Sequence, residues 1–338
     1  MEFGFPPTLK LANLPTPVER MRDVPELPDL PNVYVKRDDL TGSALSGNKV
    51  RKLEFAFAEA AEMDARTVVT CGGIQSNHAR ATAIAAARLG LRPVLVLRGA
   101  APAESDGNVL LDRLAGAEIR FISPEEWPHV NEIMAEIAAG LGSAGEKAYV
   151  IPEGASYPPG VFGYIKAAQE IAAAEKELGI EFDTIVTAVG SGGTTAGLIY
   201  GKRIFGLKGN VLGINVLDTP EYFARRIAAI SEAFIVKYEN RYRGASWLKP
   251  ILPGDVEIAG GYDGPAYAVP TEEGLGLIRT CARRLGLFLD PAYTGKAMLG
   301  LAGEAAKGRW RKSDNVLFIH TGGIFSLFPW RKELASSP

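Results

Sequence analysis

From Arg66 onward the sequence repeats one unit: a short run of β-branched and aliphatic residues, a glycine or polar turn, then an amphipathic stretch. That alternation leaves few folds open, because strands joined through helices run parallel and a parallel sheet needs helices over its faces. Strands are expected at 67–70, 93–97, 119–122 and 148–151, with helices at 76–89, 108–114 and 130–141 between them. These strands make a small open sheet. The segment 152–160 holds three prolines and two glycines, which suits a boundary between units. A second series follows, with a helix at 165–178 and strands at 183–189, 211–217 and 316–320. The strand-like 33–35 belongs to neither series by itself. Attached to the second, it gives a large domain of 1–50 with 161–338 and an inserted small α/β domain of 51–160.

Composition excludes several classes of function. Among 338 residues, 37 lysines and arginines oppose 39 aspartates and glutamates, a formal charge of −2 without any block of like charge. Bulk electrostatics therefore recruits neither nucleic acid nor an anionic membrane. Apolar stretches such as 83–87 fall far short of the about 20 residues that cross a bilayer, so no membrane span is expected. Cys71 and Cys281 lie far apart, and residues 1–10 lack a basic region followed by an apolar run, which together indicate free thiols in a reducing cytoplasm. The histidines His78, His129 and His320 have no paired spacing and no cysteine or carboxylate cluster nearby, so no metal site is expected.

Four places carry groups suited to chemistry. The first runs from Lys36-Arg37-Asp38-Asp39 to Ser46-Gly47-Asn48-Lys49, where a helical stretch begins with Leu53, Phe57, Ala60 and Ala61 on its apolar face. Asn48 is a plausible N-cap, and Lys49 then sits in the first turn, where the helix dipole disfavours a cation. Lys49 is either an exposed lysine tolerating that penalty or an amine made nucleophilic enough for a Schiff base. The second is Gly72-Gly73-Ile74-Gln75-Ser76-Asn77-His78, a strand end and helix start. Ser76 or Asn77 could simply cap the helix, yet four polar side chains beside free backbone N–H groups would also bind a carboxylate. The third is the loop Gly190-Ser191-Gly192-Gly193-Thr194-Thr195, whose amides and hydroxyls suit a phosphate. It lacks the lysine of a P-loop, and Thr195 stands where a dinucleotide fingerprint wants its third glycine. Asp218, after the strand that follows, keeps a nicotinamide-dependent oxidoreductase open as a distant alternative. The fourth gathers Tyr267, the run Asp290-Pro291-Ala292-Tyr293-Thr294-Gly295-Lys296, and His320-Thr321-Gly322-Gly323. Either tyrosine taken singly reads as a packing residue.

In this order, from about Leu14 to Phe328, these motifs resemble the family of D-cysteine desulfhydrase and aminocyclopropane carboxylate deaminase. The resemblance implies a fold type II enzyme: two open-sheet α/β domains of the tryptophan-synthase-β-like kind, with pyridoxal 5'-phosphate in the cleft between them, usually as a homodimer. It also implies site roles. Lys49 would carry the cofactor as a Schiff base and Asn77 would contact its ring. Gly190, Ser191, Gly192, Gly193 and Thr194 would hold its phosphate, with Thr294 and Thr321 nearby. Gln75, Ser76, Asn77 and His78 would bind the carboxylate of a small amino-acid substrate, and Tyr267 and Tyr293 would face the reacting carbons.

Two positions choose a branch. In the deaminase branch a glutamate follows the second tyrosine and a leucine follows the late histidine; here those positions hold Thr294 and Thr321. Threonine supplies no negative charge to keep a pyridinium protonated, so the ring is the weaker electron sink. Opening a cyclopropane needs a strong sink, whereas a thiol of reference pKa about 8.5 departs readily as its anion. Both threonines therefore favour a carbon-sulfur lyase of amino-acid catabolism acting on D-cysteine. L-cysteate sulfo-lyase is the alternative inside the family; its sulfonate wants an additional cation near the carboxylate corner.

Overall fold

Strands buried on both faces must alternate their side chains between two helical layers, and the computed structural model, which describes residues 3–335, is organised around that requirement. In chain order the first elements are β1 (Val18–Arg20), β2 (Asn32–Lys36), α1 (Asn48–Glu62), β3 (Thr67–Gly73), α2 (Asn77–Arg88), β4 (Arg92–Arg98) and α3 (Gly107–Leu114). Then come β5 (Glu118–Ile122), α4 (Val130–Ser143), β6 (Ala148–Ile151), α5 (Pro158–Leu178), β7 (Thr184–Val189), α6 (Gly193–Phe205) and β8 (Asn210–Asn215). The last are α7 (Pro220–Tyr238), β9 (Glu257–Ala259), α8 (Glu272–Leu285), α9 (Thr294–Ala306), β10 (Asn315–Ile319) and α10 (Arg331–Ala335).

The strands form two sheets. The smaller, in order β5-β4-β3-β6, is wholly parallel and holds the four strands read from the first series. The larger has the order β1-β2-β10-β7-β8-β9 and is parallel apart from β1. Here β2 lies beside β10 with Val33 opposite Val316, so the isolated early strand joins the late ones. Along β10 the alternation is plain: Val316 and Phe318 pack with α8 and α9, while Leu317 and Ile319 pack with α5 and α6.

Helix α5 starts at Pro158, seven residues before the expected position, inside the stretch read as a boundary. Proline has no N–H to lose in the first turn, so a pair of prolines opens a helix as readily as it interrupts one. Residue 50 likewise falls within α1 and residue 160 within α5. These two helices pack so closely that a Cβ on Gly163 would lie 2.7 Å from the backbone of Arg51 and Lys52.

The Lys36 to Asp38 half of the first motif serves this packing. Lys36 Nζ reaches Glu170 Oε2 at 2.6 Å, Arg51 bridges Asp38 and Glu170 at 2.8 Å, and Tyr164 donates to Asp38 at 2.6 Å. Two cations and two anions thus close a buried network in which each charge has partners, as burial demands. The network ties β2, α1 and α5 together and so fixes the helix that carries Lys49. No helix among the described residues is long and apolar enough to cross a membrane.

Candidate active site

Parallel strands present all their C-terminal ends on one side, and ligands in such sheets bind beyond those ends. The ends of β3, β4, β7, β8 and β10 converge on a cavity of about 260 Å³. From the expected set, the cavity brings together Lys49, Ser76, Asn77, His78, Gly190, Ser191, Gly192, Thr194, Tyr267, Tyr293 and Thr321, with Asp218 also in its wall.

Lys49 is the one lysine among the described residues lining it. The N-cap of α1 is Gly47, with φ 93°, so Asn48 is the first helical residue and not the cap expected. Glycine is needed there for a close approach, since a Cβ would lie 2.7 Å from the Thr321 carbonyl oxygen. Asn48 instead joins two parts of the site, its Nδ2 donating to Thr194 Oγ1 and its Oδ1 accepting from Lys49 Nζ, each at 3.1 Å. Desolvation brings the Lys49 pKa down to about 8, against the opposing pull of Glu153 and Asp290. Its Nζ lies 5.6 Å from the centre of the Tyr293 ring. The Tyr293 and Tyr267 hydroxyls are 3.0 Å apart. Burial raises both phenols, Tyr267 to about 12, so both are neutral proton donors at neutral pH.

At the Gly190 to Thr195 loop, α6 begins with the N–H groups of its first turn lacking intrahelical partners. The Gly193 N–H donates to Ser156 Oγ at 3.1 Å, and Ser156 Oγ in turn lies 2.7 Å from Ser191 Oγ. Thr195 Oγ1 is buried at the cavity wall without a hydrogen-bond partner among the described residues. Lys52, one turn beyond Lys49, reaches Ser156 Oγ at 3.3 Å from behind the loop. An unsatisfied hydroxyl, free amides at a helix N-terminus and a nearby lysine fit a phosphate group. Lys52 was missed in the sequence, although its spacing of three from Lys49 puts both on one helix face.

At the second corner Ser76 is the N-cap of α2, its Oγ accepting from the Ala79 N–H at 3.1 Å, which leaves its own proton free to donate. His78 Nε2 lies 2.8 Å from Thr70 Oγ1 while Nδ1 is buried without a partner. Burial, with Lys49 and Lys52 adding to it, holds this imidazole neutral. Asn77 Oδ1 accepts from Asn108 Nδ2 at 3.2 Å.

Three expected residues stand outside the cavity. Gln75 directs its amide to α3, accepting from the Asn108 N–H at 2.9 Å and donating to the Asp106 carbonyl at 3.1 Å. Its side chain is thus committed to that helix start in place of the carboxylate corner where it was expected. Thr294 Oγ1 donates to Asp290 Oδ1 and accepts from the Asp290 N–H, both at 2.7 Å, so its hydroxyl is committed away from the cavity. Gly193 contributes through Ser156. Conversely, Arg98, Trp127, Glu153 and Arg226 line the cavity but were not singled out. Arg98 ends β4 next to a glycine, the position after a buried strand where a functional charge is to be sought.

Tyr267 is held by a lysine. Lys296 Nζ donates to the carbonyls of Asp263, Ala266 (2.9 Å) and Val216 (3.2 Å), pinning the loop that ends in Tyr267. Lys296→Met is expected to leave these carbonyls without their donor and to lower stability by about 2 kcal/mol, read from the urea midpoint. It is also expected to lower turnover about tenfold with the fold kept; unchanged turnover would show that the loop holds Tyr267 without it.

The geometry can be set beside known proteins. The model for the family described as pyridoxal-phosphate dependent enzyme matches residues 9–322. A Thermotoga maritima protein provisionally named 1-aminocyclopropane-1-carboxylate deaminase is 43% identical over 329 residues, covering 96% of this chain and 99% of that protein. The Arabidopsis thaliana mitochondrial bifunctional D-cysteine desulfhydrase/1-aminocyclopropane-1-carboxylate deaminase is 40% identical over 342 residues, covering 97% of this chain and 81% of its own. A crystal structure of an ACC deaminase homologue superposes with a TM-score of 0.85 at 37% identity, covering 98% of this chain and 96% of that one.

Proposed function

This chain belongs to the pyridoxal-phosphate-dependent enzymes, in the group of D-cysteine desulfhydrase and aminocyclopropane carboxylate deaminase, and we propose that it eliminates sulfide from D-cysteine. The overall change converts cysteine and water into pyruvate, ammonia and hydrogen sulfide. The observation that carries this reading is one lysine amine of lowered pKa beside a hydrogen-bonded tyrosine pair, between an anion cradle and a carboxylate corner.

Lys49 Nζ would hold the cofactor in the resting enzyme, and the Gly190, Ser191, Gly192 and Thr194 segment with Thr195 Oγ1, backed by Lys52 through Ser156, would hold its phosphate. When bound, pyridoxal phosphate supplies the electron sink for the pair released as the Cα–H bond breaks. Ser76 and Asn77, with the first-turn N–H groups of α2, bind the substrate carboxylate and so orient Cα–H. Lys49 Nζ would take the Cα proton as a neutral amine, and a pKa brought down to about 8 suits that task near neutral pH. The neutral Tyr293 hydroxyl, backed by Tyr267, holds a proton for the sulfur as the Cβ–S bond breaks with its electron pair going to sulfur. Thr321 in the cavity wall and the committed Thr294 offer no carboxylate to strengthen the sink, which supports the thiol over the cyclopropane.

A substrate panel tests this. D-cysteine, L-cysteine, L-cysteate, D-serine and aminocyclopropane carboxylate are scored by pyruvate, or by 2-oxobutyrate for the last, with sulfide or sulfite as coproduct. D-cysteine is expected to show the highest kcat/KM and the cyclopropane little turnover. A cyclopropane that reacts best would overturn the argument from both threonines, and a preference for L-cysteate would move the chain to the sulfo-lyase branch. The reading extends to a reducing cytoplasm, to which the two free, buried cysteines are suited, and to a homodimer. Light scattering is expected to give about twice the 36.1 kDa of one chain.

A further inference from the structure

Among the described lining residues there are two arginines, and they differ in one respect. Arg226 is committed, its guanidinium 2.7 Å from Glu153 Oε2. The Arg98 side chain has no hydrogen bond or ion pair among the described residues; its guanidinium lies 4.9 Å from the Trp127 ring centre and 5.7 Å from that of Tyr267. Aromatic faces attract the cation but accept none of its in-plane N–H donors, so five donors and a full charge stand at the cavity wall without an acceptor. Placement adds to this. Arg98 pairs across the ladder with Gly73, at the start of the carboxylate corner, and a Cβ on Gly73 would meet the Tyr267 ring at 2.7 Å. A positive group therefore stands one strand away from the α-carboxylate site and behind the tyrosine pair.

We infer that Arg98 is a second anion subsite, which binds the negatively charged β-substituent of the substrate. The inference rests on the proposed reaction and names its substrate class: 2-amino acids whose β-carbon bears a thiolate, sulfonate or carboxylate. A planar guanidinium suits the last two as a bidentate partner, and its field favours the thiolate of cysteine over the thiol. Carboxylates also line the cavity at Glu153 and Asp218, of which Glu153 is neutralised by Arg226. The subsite is thus set by Arg98, Trp127 and Tyr267 together.

Aspartate is the probe, because it carries the second charge without a leaving group at Cβ. Calorimetry on the holoenzyme at fixed salt, with both enantiomers of aspartate and of alanine, is expected to give aspartate at least tenfold the affinity of alanine, the scale of one charge-assisted hydrogen bond. In Arg98→Gln that ratio is expected to fall toward one, and in Arg98→Lys to be kept in part, with the visible cofactor band and circular dichroism verifying both variants. Inorganic sulfate should weaken aspartate binding to the wild-type holoenzyme more than alanine binding, a measurement that needs no variant. A ratio near one in the wild type, a ratio unchanged in Arg98→Gln, or equal sensitivity to sulfate would overturn the subsite. D-cysteine turnover measured on the same preparation separates the two readings: an intact aspartate preference without sulfide release overturns the proposed reaction and leaves Arg98 in its role.

Discussion

Lys49→Ala is expected to lower sulfide release by about 10³-fold or more, since on the proposed mechanism it removes at once the attachment point of the cofactor and the base for the Cα proton. Borohydride should fix the cofactor to a wild-type peptide containing Lys49, whereas Lys52 and Lys296 are held by carbonyl and hydroxyl acceptors outside the cavity wall. Trapped cofactor on either of those lysines would displace Lys49 from its role. The pH dependence of the apoprotein gives an independent reading. Desolvation lowers the Lys49 pKa from 10.5 to about 8, and only the neutral amine attacks an aldehyde. At pH 7.5 about a quarter of Lys49 is then neutral, against about one in a thousand for an ordinary lysine. Its condensation rate should accordingly rise with pH and reach half its maximum near 8. A midpoint near 10.5 would mean that the site does not desolvate this amine.

How far the sequence could be read follows from how each feature is encoded. Parallel strands buried on both faces carry continuous apolar runs, and their glycine corners mark where the helices begin; the four strands of the small sheet are legible for that reason. The three-residue strands β1 and β9 are too short to carry a pattern, and α7 and α8 lie in stretches from which no element was singled out. Motif residues that reach the cavity through their own local turn, such as Lys49, Ser76 and Gly192, could be located. Side-chain orientation was not legible. Gln75 and Thr294 sit within the right motifs, but α3 and Asp290 hold their side chains elsewhere, and such partners are distant in sequence or indistinguishable from their alternatives. Lys36 and Asp38 illustrate the converse, charged residues whose partners Arg51 and Glu170 make them structural. Arg98 is significant only because Trp127 and Tyr267 approach from other parts of the chain.

Gly192→Val is expected to weaken cofactor binding about 100-fold while leaving the fold in place. Gly192 is the N-cap of α6 with φ 90°, a left-handed conformation that costs a residue with a side chain about 1–2 kcal/mol and a β-branched one more. Its added Cβ would lie 2.8 Å from Ile227 Cγ1, so that side chain or the loop must give, and a shifted loop moves the N–H groups proposed to face the phosphate. Losing one or two charge-assisted hydrogen bonds to that anion amounts to about 3 kcal/mol, which is the hundredfold expected. Strain alone must be separated from loss of the cradle, and the same helix supplies the control. Gly206, at the C-terminal end of α6, also has a positive φ of 74°, but nothing lies within 4 Å of an added Cβ. Gly206→Ala should therefore lower the denaturation midpoint through strain while binding the cofactor like the wild type. If cofactor titration gives Gly192→Val wild-type affinity, the phosphate is held elsewhere. Equal loss of affinity in both variants would mean that distortion of α6, not the cradle, is what the cofactor senses.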